Sequence, residues 1–397
     1  MKIIVNRKQL FEAASVVAKA SSGRSATTLP ELSGILVETD IDNQLLKLTA
    51  TNLEMMVQRR IKDIRIEGEG SAVIVAGLFC NMIDLLDGEF VTFETFDNQR
   101  ISVNSGNAIY TIHGLKPECF PKPEIPFPED TIKITGLPAL LNSTMFATAD
   151  ENSNRTEFQG VKISFGKDCT TATATDISRL AFAEAEHCAD GSLDVLIHKR
   201  SLNVLRNIIK RTDELYVGVA AKSFVVLKPD MIFSARLLEG KFVDAGKMMG
   251  LLKKSYSAVV NTGSFLEGFA NVNACAKSVS GSLVNLKVIN QGIRLSVRNE
   301  IGTADTAIVA SDTIPTPEDG FYYRPEVILD FLKVTTGELE IVIDDRGFML
   351  IKSSGCKYLV SPMKKPEEKK KETPKKKLKE ENIQKSKTKK STTPKAA

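Results

Sequence analysis

The chain has no tryptophan, only three histidines and 6% aromatic residues in 397 positions. An aromatic cage or a stacked carbohydrate platform therefore has little material to be built from. Cys80, Cys119, Cys169, Cys188, Cys275 and Cys356 are scattered and form no C-x-x-C pair. Neither a zinc knuckle nor a disulfide framework is expected, and reduced thiols of a cytoplasmic protein are. His187 and Cys188 are adjacent, so on a strand they face opposite sides. No metal site is expected. The longest apolar run, around Ala72–Phe79, is far too short to span a bilayer. Met1–Leu10 lacks the apolar core and cleavage site of a signal peptide. Missing too are G-x-x-x-x-G-K-[ST], G-x-G-x-x-G after a strand, H-E-x-x-H and G-x-S-x-G. Asp344-Asp345 before Gly347 reads as a hairpin turn. No polar groups converge, so neither a catalytic centre nor a cofactor is expected.

Charge is present, and it is uneven. The net charge is +4, but Lys364–Ala397 holds fourteen Lys and five Glu, or +9. Residues 1–363 carry 39 basic and 44 acidic side chains, or −5. A mildly acidic body carries a basic tail. That tail, rich in Lys, Glu, Thr and Pro, has too few large aliphatics to bury a core and is expected to be disordered.

The body repeats itself. Leu48–Leu53, Thr173–Ile177 and Leu295–Glu300 are alternating, strand-like runs that each end in a polar anchor: Asn52, Asp176 and Asn299. The spacings are 124 and 123 residues. Asn and Asp start turns because their side chains bond the backbone just ahead. After each anchor come a strand and an amphipathic helix, at about Ala76–Leu86, Lys199–Arg211 and Pro325–Val334. Short strands such as Phe90–Phe96, Glu214–Val219 and Leu339–Ile343 follow. Before each anchor lies another helix. The first, Arg7–Ala20, has Asn6 as N-cap, and the other two open with Thr135-Gly136 and Thr262-Gly263. The pattern predicts an α+β chain of three tandem two-layer helix/sheet units at 1–128, 129–254 and 255–363, with 364–397 as the tail. The Pro-rich Cys119–Pro128 is the first linker, and the second boundary, near Lys253–Ala258, is less marked. Three tandem copies suggest pseudo-symmetry: a fixed rotation per unit makes an arc, and a symmetric dimer can close an arc into a ring.

One helix surface is informative. Leu202, Leu205 and Ile209 form an apolar stripe, and Lys199, Asn203, Arg206 and Lys210 share the neighbouring polar face. A solvated face and a face toward phosphates are both compatible with this. On the helix pattern alone the solvated face is the stronger reading; the first helix offers Arg7, Lys8 and Lys19, with Arg24 just beyond, and recurring basic faces in an acidic body raise the phosphate reading against it.

Thr28-Leu29-Pro30-Glu31-Leu32, Thr51-Asn52-Leu53-Glu54-Met55, Phe158-Gln159-Gly160, Ala174 through Ala181, Leu238 through Asp244 and Tyr358 through Lys364 together resemble the bacterial DNA polymerase III beta subunit, the sliding-clamp family. The resemblance spans about 1–364, in order. It implies a DNA clamp fold: a head-to-tail homodimeric ring of six domains, helices lining the hole. Such a ring encircles double-stranded DNA without reading sequence and tethers the replicative DNA polymerase, after delivery by a clamp loader. On this reading Arg7, Lys8, Lys19, Arg24, Lys199, Arg200, Asn203, Arg206 and Lys210 face DNA. The resemblance also implies a pocket between the second and third domains for clamp-motif peptides. Its matching positions are Phe158, Thr175, Ile177, Ser178, Arg179, Leu180, Val243, Lys247, Met248, Leu359, Val360, Ser361, Pro362, Met363 and Lys364. The chain departs from the family at Ile177-Ser178 (usually Gly-His), Val243 (Pro), Ser361 (Met) and Gly77-Leu78 (a basic pair). A second reading is a clamp-like adaptor that docks peptides without encircling DNA. It differs from the first in dimerisation and DNA retention.

Overall fold

The computed structural model describes residues 1–23, 29–122, 124, 127–186 and 188–365. Arg24, His187 and the basic tail beyond Lys365 lie outside the described residues. Seven α-helices are present among those described: α1 (Arg7–Ala18), α2 (Ala76–Leu85), α3 (Leu137–Thr144), α4 (Lys199–Ile208), α5 (Ala245–Gly250), α6 (Thr262–Ala276) and α7 (Pro325–Leu332). None is long and apolar enough to cross a membrane. Local chemistry sets their starts. The Asn6 side chain accepts from the N–H groups of Lys8 and Gln9, and Asn261 does the same for Gly263 and Ser264. Gly136, left-handed at φ +70°, precedes α3.

The polar anchors do the same work in all three units. Asn52 Oδ1 accepts from the N–H groups of Glu54 and Met55. Asp176 Oδ1 accepts from Ser178 and Arg179, and Asn299 Oδ1 from Ile301 and Gly302. In the first two units the likeness goes further. Thr51 and Thr175 donate across the turn to the carbonyls of Met55 and Arg179, and accept from Leu53 and Ile177.

The strands form four antiparallel sheets, two of which are shared between units. An eight-stranded sheet crosses from the first unit to the second where Met55–Ile61 pairs with Met231–Arg236. A nine-stranded sheet crosses from the second to the third where Arg179–Glu186 pairs with Cys356–Val360. Each crossing joins the strand after an anchor to the last strand of the next unit. Helices pack in pairs, α1 with α2, α3 with α4 and α6 with α7, against the sheets. One continuous buried cluster runs through all three units, from Leu10 and Phe93 through Leu202 and Phe224 to Phe265 and Tyr358. That continuity makes each unit's helix layer a fixed platform for its exposed face.

Two expectations from sequence need correction. The second helix of the middle unit ends at Ile208, not Arg211. Ile209 turns extended (φ −110°, ψ 150°), and Asp213 takes the N–H of Lys210 at 2.9 Å. Lys210 therefore sits in the following turn, off the face of Lys199, Asn203 and Arg206. The stretch before the third unit, which the sequence marks only as a weak boundary, also holds α5, capped by Asp244 on the N–H of Lys247.

Candidate functional site

Two groups of side chains stand out, one on the helix layer and one at the second junction. In the first, Lys8 is exposed, and Arg7 is half-buried with Nη1 donating to the Ile83 carbonyl at 3.4 Å. Lys19 Nζ donates to the Asn207 carbonyl at 2.9 Å. The ends of α1 and α4 thus meet across two units, with an ammonium on the negative end of α4. On α4, Leu202 and Leu205 are buried while Asn203 is exposed, as an amphipathic helix requires. Arg206 donates to Asn203 at 2.7 Å and to Asn142 of α3 at 3.0 Å. Arg200 is ion-paired with Glu151, and the hydrogen bond from Arg200 to Glu151 holds the arginine's pKa above the usual value. That leaves Lys199, half-buried, and Lys8 as cations less committed to protein partners. Through the Lys19–Asn207 contact the α1 and α4 helices, which carry these basic residues, adjoin at their C-terminal ends across the junction of the first two units.

The start of α4 is capped by a histidine. His198 Nδ1 accepts from the N–H of Arg200 at 3.1 Å, and its Nε2 lies 3.3 Å from Gln159 Oε1. An accepting Nδ1 requires the neutral ring. Burial pushes the His198 pKa down; Glu54 and Glu151 oppose this while Arg200 and Lys199 add to it.

At the second junction, the structure spreads the fifteen pocket positions over both faces of the shared sheet. Leu180 and Leu359 lie directly opposite each other in register. With Ala245, Val342 and Leu350 they form a separate apolar cluster on the face away from the main core. Val243, Phe182, Phe348, Met249 and Leu252 flank it. Val360 and Ala181, one residue along each strand, point into the main core instead.

Arg179 shares the core side. Its Nε donates to Asp176 at 2.8 Å and its Nη1 to Asp330 of α7 at 2.9 Å, and the guanidinium sits 5.9 Å from the Phe146 ring. Burial disfavours its charge, but Tyr358, Asp330 and Asp176 outweigh burial and hold its pKa above the usual arginine value.

The remaining positions surround these. Thr175 is the buried turn brace, and Ile177, 63% exposed, takes φ +80° at the turn tip. The Ser178 hydroxyl donates to Asp176 at 2.7 Å, and its carbonyl accepts from the N–H of Ser361 at 2.9 Å. Phe158 is buried, edge-on to Phe242 at 5.8 Å. Lys247 is exposed beside Asp244, and Met248 is partly exposed. Pro362 packs at the Gly347 turn, the N–H of Met363 donates to Tyr322 at 2.8 Å, and Lys364 is exposed. Sequence reasoning missed Phe182, Val342, Phe348 and Leu350. The period-two alternation of Leu180/Phe182 and of Leu350 against Met349 and Ile351 carries their signal.

Comparison with known proteins agrees with this architecture. Family models match residues 1–125 as the DNA polymerase III beta subunit N-terminal domain and 131–244 as its central domain. The beta sliding clamp of Bacillus subtilis is 28% identical over 368 residues, covering 88% of this chain and 94% of that protein. The beta sliding clamp of Halalkalibacterium halodurans is 25% identical over 354 residues, covering 85% and 91%. The solved B. subtilis sliding clamp superposes with a TM-score of 0.83 at 24% identity, over 92% of this chain and all of that one. The beta subunit from Thermotoga maritima gives 0.83 at 20%, with the same coverage, and at these identities the two structures speak to fold. With two of its three repeats matched by the family's own domain models and the anchors, shared sheets and helix pairs in place throughout, the chain belongs to the bacterial DNA polymerase III beta subunit, or beta sliding clamp, family.

Proposed function

We propose that this chain is a sliding clamp: a non-catalytic ring that encircles duplex DNA and tethers the replicative polymerase, conferring processivity. The observation that carries the reading is a matching pair of strand edges left open among the described residues. Each internal junction joins the strand after an anchor to the last strand of the following unit. The same two strands are left over at the ends. Among the described residues, Ala108–His113, the last strand of the first unit, pairs only with Arg100–Ser105. Thr303–Val309, the strand after the third anchor, pairs there only with Gly292–Arg298. Unpaired edges of this kind invite another strand. A second copy, turned head to tail, supplies it twice and closes the arc.

The repeat even sets the register. Met55 and Arg179, three residues past their anchors, lie opposite Ala235 and Val360. Counting along the equivalent hairpins, Gly302 comes opposite Ile112, Ala304 opposite Tyr110 and Thr306 opposite Ala108 of the second copy. Thr303 then faces Thr111. The basic residues of α1 and α4 face the hole, where phosphates are contacted without base readout. The Leu180–Leu359 cluster, with Val243 and Met248 beside it, is the docking site for the apolar anchors of clamp-motif peptides from the polymerase and the clamp loader. The units correspond to 1–128, 129–254 and 255–363, and the protein works in the bacterial cytoplasm on the nucleoid.

The test is mass and linkage. Light scattering of the 43.5 kDa chain should give a species of twice that mass. In a Cys119→Ala background, Thr111→Cys together with Thr303→Cys should cross-link two chains into a covalently closed dimer. Ile109→Cys with Thr303→Cys, out of register, should link poorly. A monomer at every concentration would overturn the ring and favour the adaptor reading.

A further inference from the structure

The two internal junctions share a contact between helix ends. In each unit the first helix packs on the strand after the anchor: α1 on Met55–Ile61, α3 on Arg179–Glu186 and α6 on Thr303–Val309. At the first junction Lys19, just past the end of α1, donates to the carbonyl of Asn207, the next-to-last residue of α4. At the second, Phe146, just past the end of α3, lies 6.3 Å from the ring of Phe331, the next-to-last residue of α7. The positions correspond, and the chemistry is matched each time.

Carried to the two open ends, the same rule names two residues. Lys277 stands just past the end of α6, and Asp84 is the next-to-last residue of α2. The sequence supports the correspondence: Ala18-Lys19-x-x-Ser22-Gly23 returns as Ala276-Lys277-x-x-Ser280-Gly281. Asp84 and Lys277 are both exposed, and their side chains make no hydrogen bond or ion pair among the described residues. Helix α6 has fifteen residues to the twelve of α1, so Lys277 lies about 4.5 Å farther along its axis. The flexible four-carbon stem of a lysine spans that shift, and a carboxylate reaches toward it where Asn207 presents its backbone carbonyl. The residue beside Asp84 points the same way. The last residue of the second helix is aliphatic in every unit. Ile208 is half-buried and Leu332 is 1% exposed, but Leu85 is 74% exposed.

We propose that Lys277 of one copy pairs with Asp84 of a second copy, beside a covered Leu85, and that this contact, made at both seams, sets the head-to-tail direction of assembly. The proposal rests on the ring reading. Head to tail, opposite charges meet at each seam. Head to head, Asp84 would meet Asp84 and Lys277 would meet Lys277, and like charges brought together suppress that arrangement. Because both groups are exposed, salt weakens the contact.

The experiment uses full-length chains: the natural protein, Lys277→Glu, Asp84→Lys, the double variant, and an equal mixture of the two single variants. Sedimentation over a dilution series gives the dimer dissociation constant at about 50 and about 500 mM salt. Each single variant puts like charges together at both seams, which should raise that constant about 10-fold or more at the lower salt, with the gap narrowing at the higher. In the mixture, the introduced glutamate faces the introduced lysine at one seam and Lys277 faces Asp84 at the other. Heterodimers should therefore form with the natural constant, and the double variant should match it too. Single variants that dimerise like the natural chain would overturn the proposal and leave the ring standing. So would a loss that neither the mixture nor the double variant relieves, since the damage then lies within one chain. A natural chain that stays monomeric at every concentration would sink the ring and the seam contact with it.

Discussion

Replacing Arg179 by Ala should weaken the whole molecule while leaving the Leu180–Leu359 cluster in place. The guanidinium makes two charge-assisted hydrogen bonds, to Asp176 on its own turn and to Asp330 on α7, and its side chain is 13% exposed. It therefore ties a strand of the second unit to a helix of the third. Tyr358 adds to the same junction, stacked on Phe331 at 4.8 Å and donating to the Val327 carbonyl at 2.7 Å. Removing one member of a fully buried ionic network costs about 3–5 kcal/mol, because the partners left behind keep an uncompensated charge. Here water reaches Asp330, 36% exposed, and to a lesser degree Asp176, so that range is reduced to about 2–3 kcal/mol. Urea unfolding followed by circular dichroism measures it, since the chain has no tryptophan. Arg179→Lys should recover less than half, because an ammonium cannot span both carboxylates in a fixed fork. A cycle of Arg179→Ala with Asp330→Asn should show coupling of about 1 kcal/mol or more. A loss below about 0.5 kcal/mol with no coupling, a size ordinary for a surface substitution, would refute the brace and return Arg179 to the peptide site.

Three further outcomes are expected. The His198 pKa is lowered in the folded chain, so as pH falls the unfolded chain takes up the proton first. The cap's contribution is complete above the unfolded value, near 6.5, and is lost as pH falls through it toward the folded value; melting midpoints of natural chain and His198→Asn should converge over that window, and parallel curves would dismiss the effect. At Gly160 an added Cβ would lie 2.6 Å from the Ile197 carbonyl and 2.6 Å from a Leu238 methyl, so Gly160→Ala should destabilise by about 1–3 kcal/mol in the same urea assay. Lys199→Ala with Arg206→Ala should lower the salt slope of duplex binding by up to about 0.9 for each phosphate contact removed without changing the dimer mass; an unchanged slope would take α4 off the DNA face.

The sequence by itself determined the threefold repeat, because Asn52, Asp176 and Asn299 act through turns that close within four residues. It determined two helices in each unit and the cap at Asn6 for the same reason, and the asymmetry of charge, which is composition; the cap at Asn261 emerged only from the structure. Lengths were less legible: α4 reads as running to Arg211 on apolar spacing alone, but Asp213 captures Lys210 and ends it early. What only the tertiary structure decided is which side of a shared sheet each residue faces. Arg179 and Leu180 are neighbours in the chain and in the family motif, yet one is locked under α7 and the other opens onto the outer cluster. Likewise, that Met55–Ile61 pairs with Met231–Arg236 and Arg179–Glu186 with Cys356–Val360, while Ala108–His113 and Thr303–Val309 are each paired on one side only among the described residues, depends on contacts between strands more than a hundred residues apart. Such pairings depend on how three cores stack into one, and no local pattern of side chains encodes that.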